Sequence, residues 1–248
     1  MSSPVCFENP PRLTPDYGAG TVQEFGGLKT YVTGDSDSKL AILLIADAYV
    51  LAQVFYPQLG ERTRKLADKI AAAGFFVLAP DFLYGDPVDL SRPGFDIEAW
   101  KKLHNTDKVK EDAKSVIATL KSKGVNSIGA AGFCWGGNVA VKLASSSNDI
   151  QAAVILHPGP LTIDEIKGKV KIPIAVLGAE ADHLSPPEQL KEFGEILSAK
   201  SQLASLVKIF PGVGHGWTVR YNVEDESAVK SAEEAHRDML QWFAKFVK

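Results

Sequence analysis

The sequence predicts an α/β fold, with a mostly parallel central sheet covered by helices on both faces. Three observations predict it. Short apolar runs recur along the chain, helical patterns separate them, and 248 residues suffice for one large core. Val22 to Thr33, with Gly26-Gly27 in its middle, reads as an edge hairpin. Leu40 to Ile45, Phe75 to Ala79, Ser127 to Ala131, Ala152 to Leu156, Ile172 to Leu177 and Leu206 to Phe210 are apolar throughout, as strands buried on both faces must be. Pro57 to Ala73 carries Leu66, Ile70 and Ala73 on one stripe, and Val109, Ala113, Val116, Ile117 and Leu120 form another at helical spacing. Pro186 to Ala199 opens with prolines suited to a first helical turn, and Ser227 to Val247 repeats Ala232, Ala235, Met239, Trp242 and Phe243 along one face. No linker or repeat interrupts this series. One domain over 1–248 is expected, with 1–20 as an extended arm around Asn9-Pro10-Pro11.

The most informative stretch is Gly132-Phe133-Cys134-Trp135-Gly136-Gly137, between the third buried strand and the helix-like Asn138 to Ser145. Strand, sharp turn and helix around G-x-C-x-G make a nucleophile elbow with a thiol in place of the usual hydroxyl. Its glycines are steric requirements, because the turn holds the nucleophile at strained backbone angles against neighbouring chain. Cys134 is the candidate nucleophile; the competing reading is a small buried hydrophobe.

A thiol nucleophile needs a base, and the base an orienting acid, in chain order after it. Asp182 follows the next-to-last strand in Gly178-Ala179-Glu180-Ala181-Asp182-His183, and His215 follows the last in Gly212-Val213-Gly214-His215-Gly216-Trp217. All three lie beyond carboxyl ends of strands, where open α/β sheets build sites. Glu180 and His183 are the immediate competitors, and spacing favours Asp182 and His215. His157, in Leu156-His157-Pro158-Gly159, also follows a strand and either lines the pocket or is a satisfied structural histidine. Trp135 and Trp217 either pack or wall an apolar acyl site. His104 and His236 fall on helical patterns facing solvent or neighbouring helices, and Asp81 reads as a turn or cap residue.

A net charge of −3 with dispersed Lys and Arg argues against a nucleic-acid surface. No apolar stretch approaches the roughly 20 residues of a membrane span, and the polar N-terminus lacks the pattern of a signal peptide. Cys6 and Cys134 lie in unlike contexts, so no disulfide framework is expected and a reducing cytoplasmic setting fits. No histidine pair has metal-site spacing, and the glycines after Cys134 lack the downstream ribose acid of a dinucleotide site. Neither a metal nor an organic cofactor is expected.

These pieces together resemble the dienelactone hydrolase (carboxymethylenebutenolidase) family of α/β-hydrolases, in particular its eukaryotic and plant-like members. The resemblance rests on Leu44-Ile45-Ala46-Asp47, Ala79-Pro80-Asp81-Phe82-Leu83-Tyr84-Gly85-Asp86, the cysteine elbow, Gly178 to Asp182, and His215-Gly216-Trp217. It implies the α/β-hydrolase fold, Cys134 as nucleophile, His215 as base and then acid, and Asp182 as orienting group. It also implies an oxyanion hole from the backbone N–H groups of Trp135 and Ala48. Asp47 stands where the family has a carboxylate that pairs with the resting thiol. Candidates for substrate binding or thiol modulation are Asp47, Tyr49, Tyr84, His157, Trp217 and Arg220.

Three departures from the bacterial pattern matter. Asp47-Ala48-Tyr49-Val50 lacks a glycine, and bulky Leu51 to Tyr56 follows. Gly85 replaces an arginine that holds a substrate carboxylate. Val219 replaces a second arginine, with Arg220 next to it; Arg220 is either an anion-binding group or a solvated surface residue. The expected activity is hydrolysis of a small lactone or ester through an acyl-thioester, by a monomer or weak homodimer. Two other classes remain: a repurposed scaffold for ligand binding or non-hydrolytic rearrangement, and a glycoside hydrolase, for which Asp47 and Asp182 are the sole carboxylate pair to propose.

Overall fold

The computed structural model describes residues 18–48, 61–90, 92–145 and 149–248. Tyr49, the Leu51 to Tyr56 segment, Cys6 and most of the N-terminal arm lie outside the described residues. The elements run β1 (Thr21–Phe25), β2 (Leu28–Thr33), β3 (Leu40–Ile45), α1 (Glu61–Ala72), β4 (Phe76–Pro80), α2 (Ile97–Leu103), α3 (Thr106–Ser122), β5 (Ser127–Phe133) and α4 (Trp135–Leu143). They continue with β6 (Ala152–Leu156), α5 (Ile163–Lys169), β7 (Ile174–Ala181), α6 (Pro187–Ser198), β8 (Ser205–Gly214) and α7 (Glu226–Phe246). The strands form one sheet in the order β1-β2-β4-β3-β5-β6-β7-β8. β1 and β2 are the expected antiparallel hairpin, β2 joins β4 antiparallel, and the remaining neighbours are parallel. This is the α/β-hydrolase architecture.

Alternation along β3 shows how the sheet separates two cores. Ile42 and Leu44 face a layer built with Leu66 and Ile70 of α1 and Met239 and Phe243 of α7. Ala41, Leu43 and Ile45 face the opposite layer, with Val109, Val116 and Leu120 of α3, Val139 and Leu143 of α4, and Leu190 and Phe193 of α6. Leu43 is wholly buried, and truncating such a residue to Ala typically costs about 2–5 kcal/mol.

Caps set several helix starts. Asp96 accepts from the N–H groups of Glu98 and Ala99 at the start of α2, and Asp225 from those of Ser227 and Ala228 at the start of α7. Thr162 and Glu165 form a reciprocal capping box on α5.

Two strands reach farther than their apolar runs. β7 continues through Gly178 to Ala181, so the segment expected as loop up to Asp182 is mostly strand. Its partner β8 likewise continues to Gly214, and the pairing persists to Ala181 opposite Gly214 across an irregularity after Ala179. Backbone pairing sustains both extensions where the side chains no longer alternate. Both catalytic candidates therefore follow directly on rigid strand ends. α4 starts at Trp135, not Asn138, immediately after the elbow cysteine.

Candidate active site

The elbow is held by close packing of its own backbone. A Cβ on Gly132 would lie 2.3 Å from the Gly136 carbonyl oxygen, and one on Gly136 would lie 2.1 Å from that of Ile45. Glycine at both positions lets α4 press against the ends of β5 and β3. Cys134 takes φ 51° and ψ −117°, a conformation that costs a non-glycine residue about 1–3 kcal/mol. Its N–H donates to the Leu156 carbonyl at 3.1 Å, and its carbonyl accepts from Gly137 at 2.9 Å and Gly159 at 3.0 Å. These bonds fix the strained turn from both sides.

The result is a thiol that is 6% exposed. Burial pushes its pKa up to about 11, and the negative charge of Asp182 adds to this, while the N–H groups of Trp135 and Ala48 pull the other way by donating toward the sulfur. The resting group is thus a protonated thiol facing two backbone donors.

His215 places a ring nitrogen within 4.8 Å of this sulfur. Its Nδ1 lies 2.7 Å from Asp182 Oδ2. An ionised carboxylate only accepts, so Nδ1 carries a proton, and in the neutral ring Nε2 is then the nitrogen with the lone pair. Nε2 is buried and has no hydrogen-bond partner among the described residues. Asp182 is almost fully buried. Burial alone would raise its pKa, but the bond and charge of His215 and the N–H groups of Leu184 and Ser185 outweigh it and hold the carboxyl below its ordinary value. Ser185 Oγ in turn donates to the carbonyls of Pro158 and Gly159 at 3.0 and 3.2 Å, tying the acid's loop to the elbow's neighbour.

Glu180 and His183 stand outside this arrangement. Glu180 is an exposed strand residue whose carboxylate accepts from the N–H of Gly212 at 2.8 Å, and His183 is exposed.

Asp47 is completely buried at the end of β3, and its carboxylate pairs with Arg220. The donor atoms of Asp47, Cys134 and His215 lie within 4.8 Å of one another, a thiol, imidazole and carboxylate set with the chemistry to hold a cation. Arg220 is thereby the ion-pair partner of a buried carboxylate, although its own residue is exposed, and not a freely solvated group.

His157 lies against His215. It is fully buried, its Nε2 is 2.8 Å from Thr218 Oγ1, and its ring meets that of His215 edge-on at 5.1 Å. Burial drives its pKa well below the ordinary value, with the proximity of His215 acting the same way. Trp217 packs on His157 at 5.5 Å and on Phe210 at 5.3 Å, forming an aromatic wall beside His215. Trp135 packs edge-on against Trp100 at 6.2 Å.

Tyr84 is placed elsewhere: its hydroxyl bonds Asp112 and Lys108 on the outer surface of α3, with Lys108 over the ring. His104 and His236, expected to face solvent or neighbouring helices, are both buried. His104 stacks on Trp100 at 4.4 Å. His236 Nε2 donates to the Thr218 carbonyl at 2.9 Å, so Thr218 links two buried imidazoles below the site. Sequence reading missed Thr218 and Ser185; only their adjacency to His215-Gly216-Trp217 and Asp182-His183 marked them.

A family model described as the dienelactone hydrolase family matches residues 28–247. A maize (Zea mays) protein named endo-1,3;1,4-β-D-glucanase is 35% identical over 204 residues, 80% of this chain, and the chain spans 63% of that relative's length. A carboxymethylenebutenolidase homolog from Xenopus tropicalis is 31% identical over 237 residues, 94% of this chain and 93% of its own. A crystal structure of a dienelactone hydrolase from Anabaena variabilis shares the fold with a TM-score of 0.64 at 16% identity, over 92% of this chain and 97% of that one. A dienelactone hydrolase-like promiscuous phosphotriesterase from metagenomic libraries does so at 0.67 and 18% identity, over 93% and 100%.

Proposed function

Because the chain belongs to the dienelactone hydrolase family, and so is a hydrolase directed at esters or lactones, we propose that it works through Cys134, His215 and Asp182 with an acyl-thioester intermediate. The observation that carries this reading is the 2.7 Å bond from His215 Nδ1 to Asp182, which leaves Nε2 unpartnered beside an elbow thiol.

The chemistry follows from the protonation states. The thiol is protonated at rest, so attack requires His215 Nε2 to take the Sγ proton as the sulfur adds to the carbonyl carbon. Asp182 stabilises the imidazolium so formed. The carbonyl oxygen gains the electron pair, and the N–H groups of Ala48 and Trp135 receive it. One such donor is worth roughly 3–4 kcal/mol of barrier in comparable sites. Collapse expels the alkoxide, which takes the proton from His215. Water, deprotonated by Nε2, then adds to the thioester; the second collapse releases the carboxylic acid and returns the thiol.

The name of the maize relative raises glycosidic cleavage, which needs two carboxyl groups about 5–9.5 Å apart flanking one bond. Here Asp182 spends Oδ2 on His215 and Oδ1 on two backbone N–H groups, and Asp47 is paired with Arg220. Neither is free to act on a glycosidic oxygen, so the ester reading is preferred.

The test is turnover of a panel of activated esters and enol lactones by wild type and Cys134→Ala. The reading requires a loss of about 10³-fold or more in the variant. Retained turnover in correctly folded Cys134→Ala would exclude it.

A further inference from the structure

We infer that Cys134, His215 and Asp47 form a binding site for a thiophilic divalent cation, Zn2+ by its chemistry, and that occupancy blocks catalysis rather than supporting it. The binding half stands on the donor set alone; the inhibition half rests on the hydrolase reading above.

Three donors of the types that zinc takes converge here, with their atoms within 4.8 Å of one another. Tetrahedral zinc, with bonds of about 2.3 Å to sulfur and about 2.0–2.2 Å to nitrogen or oxygen, places its donors about 3.3–3.7 Å apart. Side-chain rotation of about an ångström therefore closes the set. Proximity is not the sole indication: Nε2 of His215 is buried without a partner among the described residues, while Nδ1 is held by Asp182 at 2.7 Å. A carboxylate on the far nitrogen of a ligating imidazole is the usual support of a zinc histidine, fixing its tautomer and raising its basicity.

Charge agrees. A Cys134 thiolate and the Asp47 carboxylate neutralise a dication in a place where an uncompensated charge would be costly. Thiolate with imidazole selects zinc or a similarly soft metal over magnesium and calcium, which prefer all-oxygen shells. A cleft of about 370 Å³ lined in part by His215, Trp217 and Arg220 adjoins the imidazole. In binding, the metal sheds waters and the Cys134 thiol gives its proton to the buffer, so no oxidant or other reactant is needed. The cation then occupies both the sulfur lone pair and Nε2, the two positions that acyl transfer uses. Arg220 is its competitor, because the guanidinium now pairs with Asp47.

Co2+ is the probe, since thiolate ligation gives it a charge-transfer band that needs no turnover to observe. Wild type is titrated with Co2+ and back-titrated with Zn2+, beside Cys134→Ser, Asp47→Asn and Arg220→Gln. The expected results are a thiolate band in wild type that Zn2+ abolishes and its absence in Cys134→Ser. Weakening of at least about tenfold is expected in Asp47→Asn, and several-fold tightening in Arg220→Gln. No band in wild type, a band surviving in Cys134→Ser, or an Asp47→Asn affinity equal to wild type overturns the site. Those failures leave the hydrolase reading untouched. A protein that binds Co2+ through Cys134 but turns over no ester sinks the hydrolase reading and, with it, the inhibition alone.

Discussion

Arg220 reaches the buried carboxylate of Asp47 by passing directly over Gly216. A Cβ at Gly216 would lie 2.2 Å from Arg220 Nη2, and the residue's φ of 86° is one that side chains rarely adopt. The glycine after His215 is thus the opening through which the Arg220 guanidinium is delivered to the acid beside the thiol.

Removing that cation is costly. Arg220→Gln removes the ion-pair partner of the buried Asp47 carboxylate, and because the Arg220 side chain keeps 30% of its surface accessible the cost is about 1–3 kcal/mol, below the ~3–5 kcal/mol of a wholly buried pair. Denaturant unfolding is expected to show a loss of that order, partly restored when Asp47→Asn is added. Strictly additive losses in the double variant would show that the pair does not couple.

The orienting acid is the next test. Asp182→Asn keeps the shape but no longer enforces the tautomer with a proton on Nδ1, so kcat is expected to fall about 10³–10⁴-fold. Near-normal kcat in the variant would remove Asp182 from the mechanism.

The buried thiol predicts a pH dependence of labelling. With the Cys134 pKa pushed up to about 11 by burial, the rate of alkylation by a small reagent should keep climbing above pH 9 and level only near pH 11. The folded pKa lies above the unfolded one, so this group's contribution to stability is full below the unfolded value and is lost as pH rises toward 11. A labelling plateau near neutral pH would contradict a protonated resting thiol.

His236 predicts acid sensitivity. Burial, with the nearby Lys69 charge, lowers its pKa to about 3 from an ordinary value of 6.5. The folded value is depressed, so its contribution is full above 6.5 and is lost as pH falls toward 3. Between pH 6.5 and 4 this amounts to up to about 3 kcal/mol. His236→Gln preserves a donor for the Thr218 carbonyl and removes the titration. Its denaturation midpoint should fall less steeply over that pH interval, and a slope equal to wild type would place the acid sensitivity elsewhere.

Residues whose role is imposed by backbone geometry were the legible ones. The glycines around Cys134 announced a sharp turn, and the apolar runs of β3 to β6 announced buried parallel strands, because neither signal depends on distant contacts. β7 and β8 overran their apolar runs since strand pairing continues through Gly178 to Gly214 without needing hydrophobic side chains. α5 was missed although Thr162 and Glu165 form a capping box, because the seven residues it starts are too few to show a helical stripe. The sequence offered His157 as either a pocket residue or a satisfied structural histidine, but it did not show the partner: Thr218, whose hydroxyl meets His157 and whose carbonyl meets His236, lies 61 and 18 residues away. The ion pair of Asp47 with Arg220 likewise joins chain segments that only the sheet brings together.

The measurement that tests the central claim most directly is intact-mass analysis with peptide mapping after brief exposure to an activated acyl ester, in wild type and His215→Ala. The account predicts an acyl adduct on Cys134 that forms and then clears in wild type, and that fails to form or fails to clear in the variant. Ester turnover with no acyl group ever found on Cys134, or an adduct that forms and clears equally well without His215, would contradict it.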